Sequence, residues 1–199
     1  MPIAALVEVP PEVSDDAAVF AEPLAAALHV LDELVTKPKR AIVLGDGKLG
    51  LLITLALVGA GVPTELVGRH ERKLAFAKGA KTWRDTDAVP GGADLVVEAT
   101  GTAAGLERAI QLVAPRGAIV LKTTVAGKVD VDLAPVVVNE VRVIGSRCGD
   151  MKRAMAALAD GSVDPTPLIE ARYPLAKADE AMAHAGRRGT LKVLIDAGN

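Results

Sequence analysis

The stretch Ala41-Ile42-Val43-Leu44-Gly45-Asp46-Gly47-Lys48-Leu49-Gly50 decides the fold of this chain. Its first four residues are apolar, as in a buried strand, and the apolar run over residues 51–58 that follows has the length of a helix. Between the two runs the glycines form the pattern G-x-G-x-x-G. A strand, this pattern and a helix in succession are typical of a turn that holds the pyrophosphate of a dinucleotide.

Each glycine of this turn has its own physical reason. Gly45 allows the tight change from strand to helix, Gly47 lets a phosphate approach the backbone, and Gly50 lets the helix pack close to the strand. The free N–H groups at the helix N-terminus then face the phosphates. We therefore predict cofactor contacts along the whole turn, at Gly45, Asp46, Gly47, Lys48, Leu49 and Gly50. The alternative is a glycine turn with a purely structural role.

Strand-like and helix-like runs alternate along the rest of the chain. Further strands are predicted at residues 64–67, 81–83, 93–98, 118–121 and 140–144. This alternation is typical of βαβ units and a parallel sheet. We predict an α/β, doubly wound Rossmann fold with a six-stranded parallel sheet. Residues 1–36 are expected to form a flanking strand and helix, and residues 37–199 the dinucleotide-binding domain with a C-terminal tail.

The composition narrows the class of protein. The 199 residues are 50% hydrophobic with a net charge of −2, so there is no basic footprint for nucleic acid. The longest apolar stretch is too short to span a bilayer, and no signal peptide is apparent. A single cysteine excludes a disulfide within the chain and a CxxC metal site. We expect a cytoplasmic protein with no membrane and no nucleic-acid partner.

The end of the second predicted strand indicates which cofactor is bound. An acidic residue that would hold a ribose 2′-hydroxyl is expected there, but the position is Gly68 and the next residue is Arg69. A glycine leaves room for a 2′-phosphate, and an arginine can bind it as a fork. With His70 and Arg72 nearby, we predict NADP(H) in preference to NAD(H). The alternative is an ordinary charged helix start.

Several motifs in order resemble those of the medium-chain dehydrogenase/reductase superfamily, in its zinc-type alcohol dehydrogenase group. They are Glu22-Pro23-Leu24-Ala25, Glu98-Ala99-Thr100-Gly101, residues 143–149, Tyr173-Pro174-Leu175 and Leu191-Lys192-Val193. The resemblance covers nearly the whole chain. It implies the nucleotide-binding domain of an oxidoreductase that moves hydride between nicotinamide and an alcohol or carbonyl.

The resemblance also implies what this chain leaves out. Members of the superfamily carry a preceding GroES-like domain that supplies the zinc ligands and most of the substrate pocket. Glu22 matches the one ligand position that remains, and a single carboxylate does not hold catalytic zinc. We therefore expect no zinc, assign no catalytic residue, and consider a separate catalytic-domain partner.

The resemblance assigns roles at three further strand ends. Thr100 and Gly101 are expected to line the cofactor cleft. Lys122 and Thr123 at the fifth strand, and Ser146 and Arg147 at the sixth, are expected near the nicotinamide. Ligands bind at the carboxyl ends of strands in such sheets, which agrees with these positions. Lys192 is a candidate for the cofactor phosphates.

Two further expectations concern activity and assembly. If the chain does not catalyse, it is a non-catalytic module that binds or senses NADP(H), or a fragment with no independent role. The resemblance implies a homodimer through the sixth strand, at residues 141–144. Residues 4–9 and 191–196 are expected to pair with each other or with a second copy.

Overall fold

The computed structural model describes residues 6–124, 128 and 130–198. In chain order the elements are α1 (Asp15–Ala18), α2 (Ala21–Asp32), β1 (Ala41–Leu44), α3 (Lys48–Gly59), β2 (Thr64–Gly68), α4 (Glu71–Leu74), β3 (Lys81–Arg84), β4 (Ala93–Glu98), α5 (Ala103–Leu112), β5 (Val113–Leu121), α6 (Ala134–Val138), β6 (Arg142–Gly145), α7 (Met151–Ala159), β7 (Ile169–Pro174), α8 (Ala178–Ala185) and β8 (Lys192–Asp196). Two short 3₁₀ turns, Thr166–Leu168 and Leu175–Lys177, flank β7.

The first six strands form one parallel sheet in the order β3-β2-β1-β4-β5-β6. This confirms the predicted doubly wound fold. Leu44, the last residue of β1, is in register with Val67 of β2 on one side and Glu98 of β4 on the other. The strand order reverses at β1, so a crevice opens between the loops that follow β1 and β4. Ligands of open α/β sheets bind in such a crevice.

Helices cover both faces of the sheet. On one face α2, α3 and α7 enclose a core that includes Leu24, Leu51 and Met155. On the other face α5 packs over Ile42, Val96 and Ile119. All four residues of β1 are buried, as expected of a central strand in a sheet covered on both sides. The glycine loop is therefore anchored by the most deeply buried strand.

Pro23 lies inside an N-terminal helix without interrupting it. The break falls earlier, at residues 19–20, and Pro23 is the third residue of α2. The N–H groups of the first helical turn have no intrahelical partner, so a proline there costs no hydrogen bond. Ser14 caps α1, and its hydroxyl accepts from the Ala17 N–H.

The C-terminal segment differs from the sequence-based expectation. Strand β8 pairs in parallel with β7, and the two form a separate two-stranded sheet. Residues 6–9 form no strand, and residues 4 and 5 of the predicted N-terminal strand lie outside the described residues. Residues 6–9 therefore do not pair with residues 191–196, since β8 pairs with β7 instead, and the alternative of pairing with a second copy stays a prediction. None of the described helices is both long and apolar enough to cross a membrane.

Candidate cofactor site

The glycine loop has the geometry that a phosphate turn requires. Gly45 has φ +112°, and a Cβ there would lie 2.8 Å from the Ala99 carbonyl oxygen. A Cβ on Gly50 would lie 1.9 Å from the Gly45 carbonyl oxygen. A Cβ on Gly47, by contrast, would meet nothing within 4 Å. The first and third glycines are thus fixed by packing, and the second leaves open space in front of the helix.

The N-terminus of α3 lies behind that open space. Gly47 is its N-cap residue, and no side chain caps the helix. Lys48 is the first helical residue, and its positive charge is one reason, after burial, that the pKa of Lys192 is lowered. The Lys192 ammonium also donates to the Val19 carbonyl, 3.0 Å away. Uncapped N–H groups, a helix dipole and two lysines together favour an anion at this place.

Asp46 turns towards the end of β2. Its Oδ2 accepts from the N–H of Arg69 at 2.7 Å, from the N–H of His70 at 2.6 Å, and lies 3.0 Å from the His70 Nδ1. Burial would raise the pKa of this carboxyl, but the hydrogen bonds from His70 and Arg69 outweigh it, and the pKa is lowered. Asp46 is therefore an ionised carboxylate whose side chain is only 9% exposed.

Gly68 is adjacent to this carboxylate. A Cβ at Gly68 would lie 2.5 Å from the Cβ of Asp46 and 2.8 Å from its Oδ2. The sequence shows no acid at the end of β2, but the glycine loop brings one to the same corner. One premise of the NADP(H) prediction, the absence of a carboxylate, therefore does not hold in three dimensions.

A cavity of about 420 Å³ opens at this corner. Seven predicted site residues line it, namely Gly45, Asp46, Gly47, Gly68, Arg69, His70 and Thr100. The others do not form its wall: Lys48, Leu49, Gly50, Arg72, Gly101, Lys122, Thr123, Ser146 and Arg147. The loop after β1, the loop after β2 and the loop after β4 thus meet, as the parallel sheet dictates.

Three cations beyond the predicted site residues line the same cavity. Lys73, Arg108 and Arg188 all line it. Arg108 donates to the carbonyls of Asp85 and Asp87, and Asp85 in turn accepts from the Arg69 Nε at 2.8 Å. The sequence places Lys73 directly after Arg72, so its positive charge belongs to the basic stretch that follows β2. Nothing in the sequence indicates Arg188, because its approach depends on how the C-terminal segment folds.

The predicted residues at the ends of β4 and β5 are joined through a buried carboxylate. Glu98 is 2% exposed. Its Oε1 accepts from the N–H and hydroxyl of Thr100 and from the N–H of Gly101. Its Oε2 accepts from the Thr123 hydroxyl at 2.8 Å. This network holds the loops after β4 and β5 in a fixed relationship.

The ends of β5 and β6 are joined by a second contact. The Lys122 ammonium donates to the Ser146 hydroxyl at 3.2 Å. Burial lowers the pKa of Lys122, partly offset by Glu33, Cys148 and Glu22. Arg147 is exposed beside this pair. These residues lie at the ends of β5 and β6, farther along the same edge of the sheet.

The described residues contain no group of three or more histidine, cysteine or acidic residues that could hold a metal ion. Glu22 is exposed on α2. Cys148 is also exposed, as a free thiol.

Comparison with known families gives one match over most of the domain. The family described as "Zinc-binding dehydrogenase" matches residues 49–161. Among curated proteins, D-arabitol-phosphate dehydrogenase of Enterococcus avium is 28% identical over 94% of this chain and 59% of its own length. D-altritol 5-dehydrogenase of Agrobacterium fabrum is 31% identical over 80% of this chain and 52% of its own length. The chain thus spans between half and three-fifths of these relatives.

Solved structures agree with the sequence relatives. A zinc-binding dehydrogenase of Sinorhizobium meliloti, solved with NADP, has a TM-score of 0.85 and 27% identity over 95% of this chain and 61% of its own. L-Idonate 5-dehydrogenase of Escherichia coli has a TM-score of 0.88 and 25% identity over 96% of this chain and 60% of its own. The chain therefore belongs to the zinc-binding dehydrogenase family of the medium-chain dehydrogenase/reductase superfamily, and the described residues form its nucleotide-binding domain.

Proposed function

We propose that this chain binds a nicotinamide dinucleotide and serves as the cofactor-binding part of an oxidoreductase. The reaction is hydride transfer between the nicotinamide and an alcohol or carbonyl. The observation that carries the proposal is the loop at Gly47, which leaves open space before the uncapped N-terminus of α3. A pyrophosphate fits that place by charge and by size.

The bound cofactor would supply the hydride chemistry, and the protein binds and orients it. Gly47 and the N-terminus of α3 hold the pyrophosphate, and the cavity beside Asp46 takes the adenosine. The network around Glu98 sets the positions of Thr100 and Thr123, where the nicotinamide half would extend. Lys122 and Ser146 form the far end of that path.

The names of the relatives support a substrate class. The two curated relatives described above act, by their names, on D-arabitol phosphate and D-altritol. We propose a polyol, or the corresponding ketose, as substrate. Because the chain spans between half and three-fifths of these relatives, the groups that would hold the substrate belong to a region or partner beyond the described residues.

For the cofactor we propose NADP(H) in preference to NAD(H). Arg69 at the cavity rim supports this, as does the NADP bound to the Sinorhizobium relative. The carboxylate of Asp46 acts against a 2′-phosphate, so the preference depends on the cations around it. Titration of the chain with NADPH and NADH tests it. Tighter NADPH binding that Arg69→Ala abolishes supports the preference, and equal affinities contradict it.

A second candidate function is non-catalytic binding or sensing of the cofactor. It is favoured because residues of the loops after β1, β2 and β4 all line the cavity, so these loops by themselves offer a dinucleotide a place to bind. A turnover assay with polyols and ketoses, with and without added zinc, separates the two functions. Cofactor oxidation or reduction supports the enzyme, and tight binding with no turnover supports the module.

We also propose a homodimer through β6. This strand pairs only with β5 among the described strands, and Val143 is 44% exposed on it. An unpaired edge with apolar residues is suited to adding a strand from a second copy. Light scattering should give a dimer, and Val143→Lys should give a monomer. A monomeric wild-type chain would contradict the proposal.

A further inference from the structure

A second cavity opens at the amino-terminal edge of the sheet, opposite the cofactor site. Its volume is about 310 Å³, at the lower end of the range of small-molecule pockets. Its wall comes from the chain between α2 and β1, the start of β4, the first part of β5 and the start of β6. Among the described residues, none lines both this cavity and the cofactor cavity. The two are therefore separate sites.

Positive charge dominates the wall of this cavity, which we call the basic cleft. Among the described residues, one acid, Asp94, lines it together with four cations, Lys37, Lys39, Arg116 and Arg142. The whole chain carries a net charge of −2, so this excess of cations is local. A concave surface lined by one sign of charge focuses the field and concentrates ions of the opposite sign. The basic cleft therefore favours an anion.

The acid of the basic cleft is committed to the backbone. The Asp94 Oδ2 accepts from the N–H of Lys39 and from the N–H of Arg40, both at 2.9 Å. This contact holds the segment that leads into β1 against the start of β4. Asp94 thus fixes the shape of the cleft through main-chain groups.

The cations of the basic cleft have little acidic compensation. Within residues 6–124, 128 and 130–198, no carboxylate lies within ion-pair distance of the side chains of Lys37, Lys39 and Arg142. Arg116 pairs with Glu140 at 3.0 Å, and the two side chains are 82% and 69% exposed. An exposed pair of this kind contributes little free energy, so an incoming anion can compete for Arg116. Like charges that lie together repel one another, and an anion between them removes that cost.

The strand register spaces these cations across the basic cleft. One row of the sheet contains Ala41, Leu95, Ala118 and Arg142, on β1, β4, β5 and β6. Lys39 precedes β1 by two residues, and Arg142 begins β6. Their backbones are therefore three strand spacings apart, about 14 Å. A ligand with two anionic groups suits cations that stand at both ends of a cleft.

We propose that the basic cleft binds a small organic molecule that carries two phosphate groups. Each phosphate ester has a charge of roughly −1.5 to −2 at pH 7, so two of them match four cations better than one does. Arg142 supplies a fork that matches phosphate oxygens, and Lys39 supplies a compact charge. The side chains of Leu34 and Pro115, also in the wall, offer apolar surface to the carbon skeleton. This site goes beyond the proposed function and does not depend on it.

The test uses fructose 1,6-bisphosphate and fructose 6-phosphate, which differ in one phosphate. Calorimetric titration is made in excess NADPH, which occupies the phosphate site of the glycine loop. The bisphosphate should bind at one site, about tenfold more tightly than the monophosphate, and Lys39→Gln and Arg142→Gln should each weaken it by about tenfold. Lys152→Gln and Arg187→Gln change exposed residues outside the cleft. They are the matched controls and should leave the affinity unchanged.

Several outcomes would overturn the inference. Loss of bisphosphate binding on addition of NADPH would place the probe at the glycine loop. Equal affinity for the two sugar phosphates, or for the bisphosphate in wild type and both variants, would contradict a site for two phosphates in this cleft. Tighter binding of citrate than of the bisphosphate would assign the cleft to carboxylates. Lys39 lies outside β6, so Lys39→Gln keeps the test decisive even if Arg142→Gln disturbs the proposed dimer.

Discussion

The side chain of Asp46 fills the space that a side chain at Gly68 would need, because a Cβ on Gly68 would lie 2.5 Å from the Cβ of Asp46. The residue tolerated at position 68, at the end of β2, thus depends on the side chain at position 46 in the glycine loop. Gly68→Ala should lower the free energy of unfolding by about 1–3 kcal/mol, the usual cost of overpacking. In an Asp46→Gly background the same change should cost much less. Urea unfolding of the four proteins measures the coupling, and additive effects would contradict it.

Gly47, the N-cap residue of α3, and Gly50, in its first turn, allow a matched comparison. Gly50→Ala should destabilise the fold severely, since its Cβ would lie 1.9 Å from a backbone oxygen. Gly47→Ala should fold normally, because its φ of −74° and ψ of 175° suit alanine and its Cβ meets nothing. It should nevertheless lose about tenfold or more in dinucleotide affinity, since the Cβ holds the phosphate away from the N–H groups. Thermal unfolding and fluorescence titration give both readouts.

Full cofactor affinity in Gly47→Ala would show that the phosphate does not rest on this loop. An unchanged melting temperature in Gly50→Ala would show that the packing at the turn is looser than the distances indicate.

Glu98 accepts hydrogen bonds at both of its oxygens from neutral donors. Glu98→Gln replaces one acceptor with an NH₂ group that faces a donor. We expect a loss of about 1–3 kcal/mol in unfolding free energy. Glu107→Gln on the exposed side of α5 is the control and should change stability by less than about 0.5 kcal/mol. Equal effects of the two changes in urea unfolding would rule out a special role for the buried network.

The lowered pKa of Asp46 makes stability depend on pH in a definite direction. Its folded-state pKa lies below the unfolded one, so its contribution is complete above the ordinary aspartate range. That contribution is lost as the pH falls through the folded-state pKa. Asp46→Asn should therefore be less stable than wild type at pH 7, and the gap should narrow towards pH 3.

Urea midpoints measured across this range test the assignment. Asp179→Asn, which changes an exposed aspartate on α8, is the control and should change the urea midpoint little at pH 7. A constant gap for Asp46→Asn would mean that the carboxylate is not preferentially ionised in the folded protein.

The six-stranded sheet could be predicted because its signals are local. The strands of the sheet are short apolar runs such as 41–44 and 93–98, and helical runs separate them. The fold class and the succession of strands and helices along the chain therefore followed from the spacing of these runs. The boundary of β5 was less clear, because a register shift near Ala93 and Leu95 extends the pairing back to Val113. Such irregularities depend on the neighbouring strand and leave no local pattern.

The position of Asp46 could not be predicted from its place in the sequence. The glycine pattern assigns a backbone role to that position and says nothing about its side chain. Only the parallel register of β1 and β2 brings it to the N–H groups of Arg69 and His70. The sequence indeed has no acid at position 68, but the fold brings the carboxylate of Asp46 to the same place.

Strand β7 was missed for a different reason. Its residues, IEARYP, mix charges with a proline and show only partial burial. The strand exists because β8 and α8 pack against it, which is a tertiary effect. Arg188, which lies beyond it, could be placed at the cofactor only after this small sheet was known.

The attachment of the C-terminal sheet to α4 through Glu170, which pairs with Arg72 at 3.0 Å, has a consequence for dynamics. A ligand in the cavity that both Lys73 and Arg188 line would connect α4 to the loop before β8, so occupancy should slow local opening of both. Hydrogen exchange at β7 and β8 would then report cofactor occupancy from residues that never touch it. Exchange rates in the small sheet would thus show, at a distance, whether the adenosine pocket is filled.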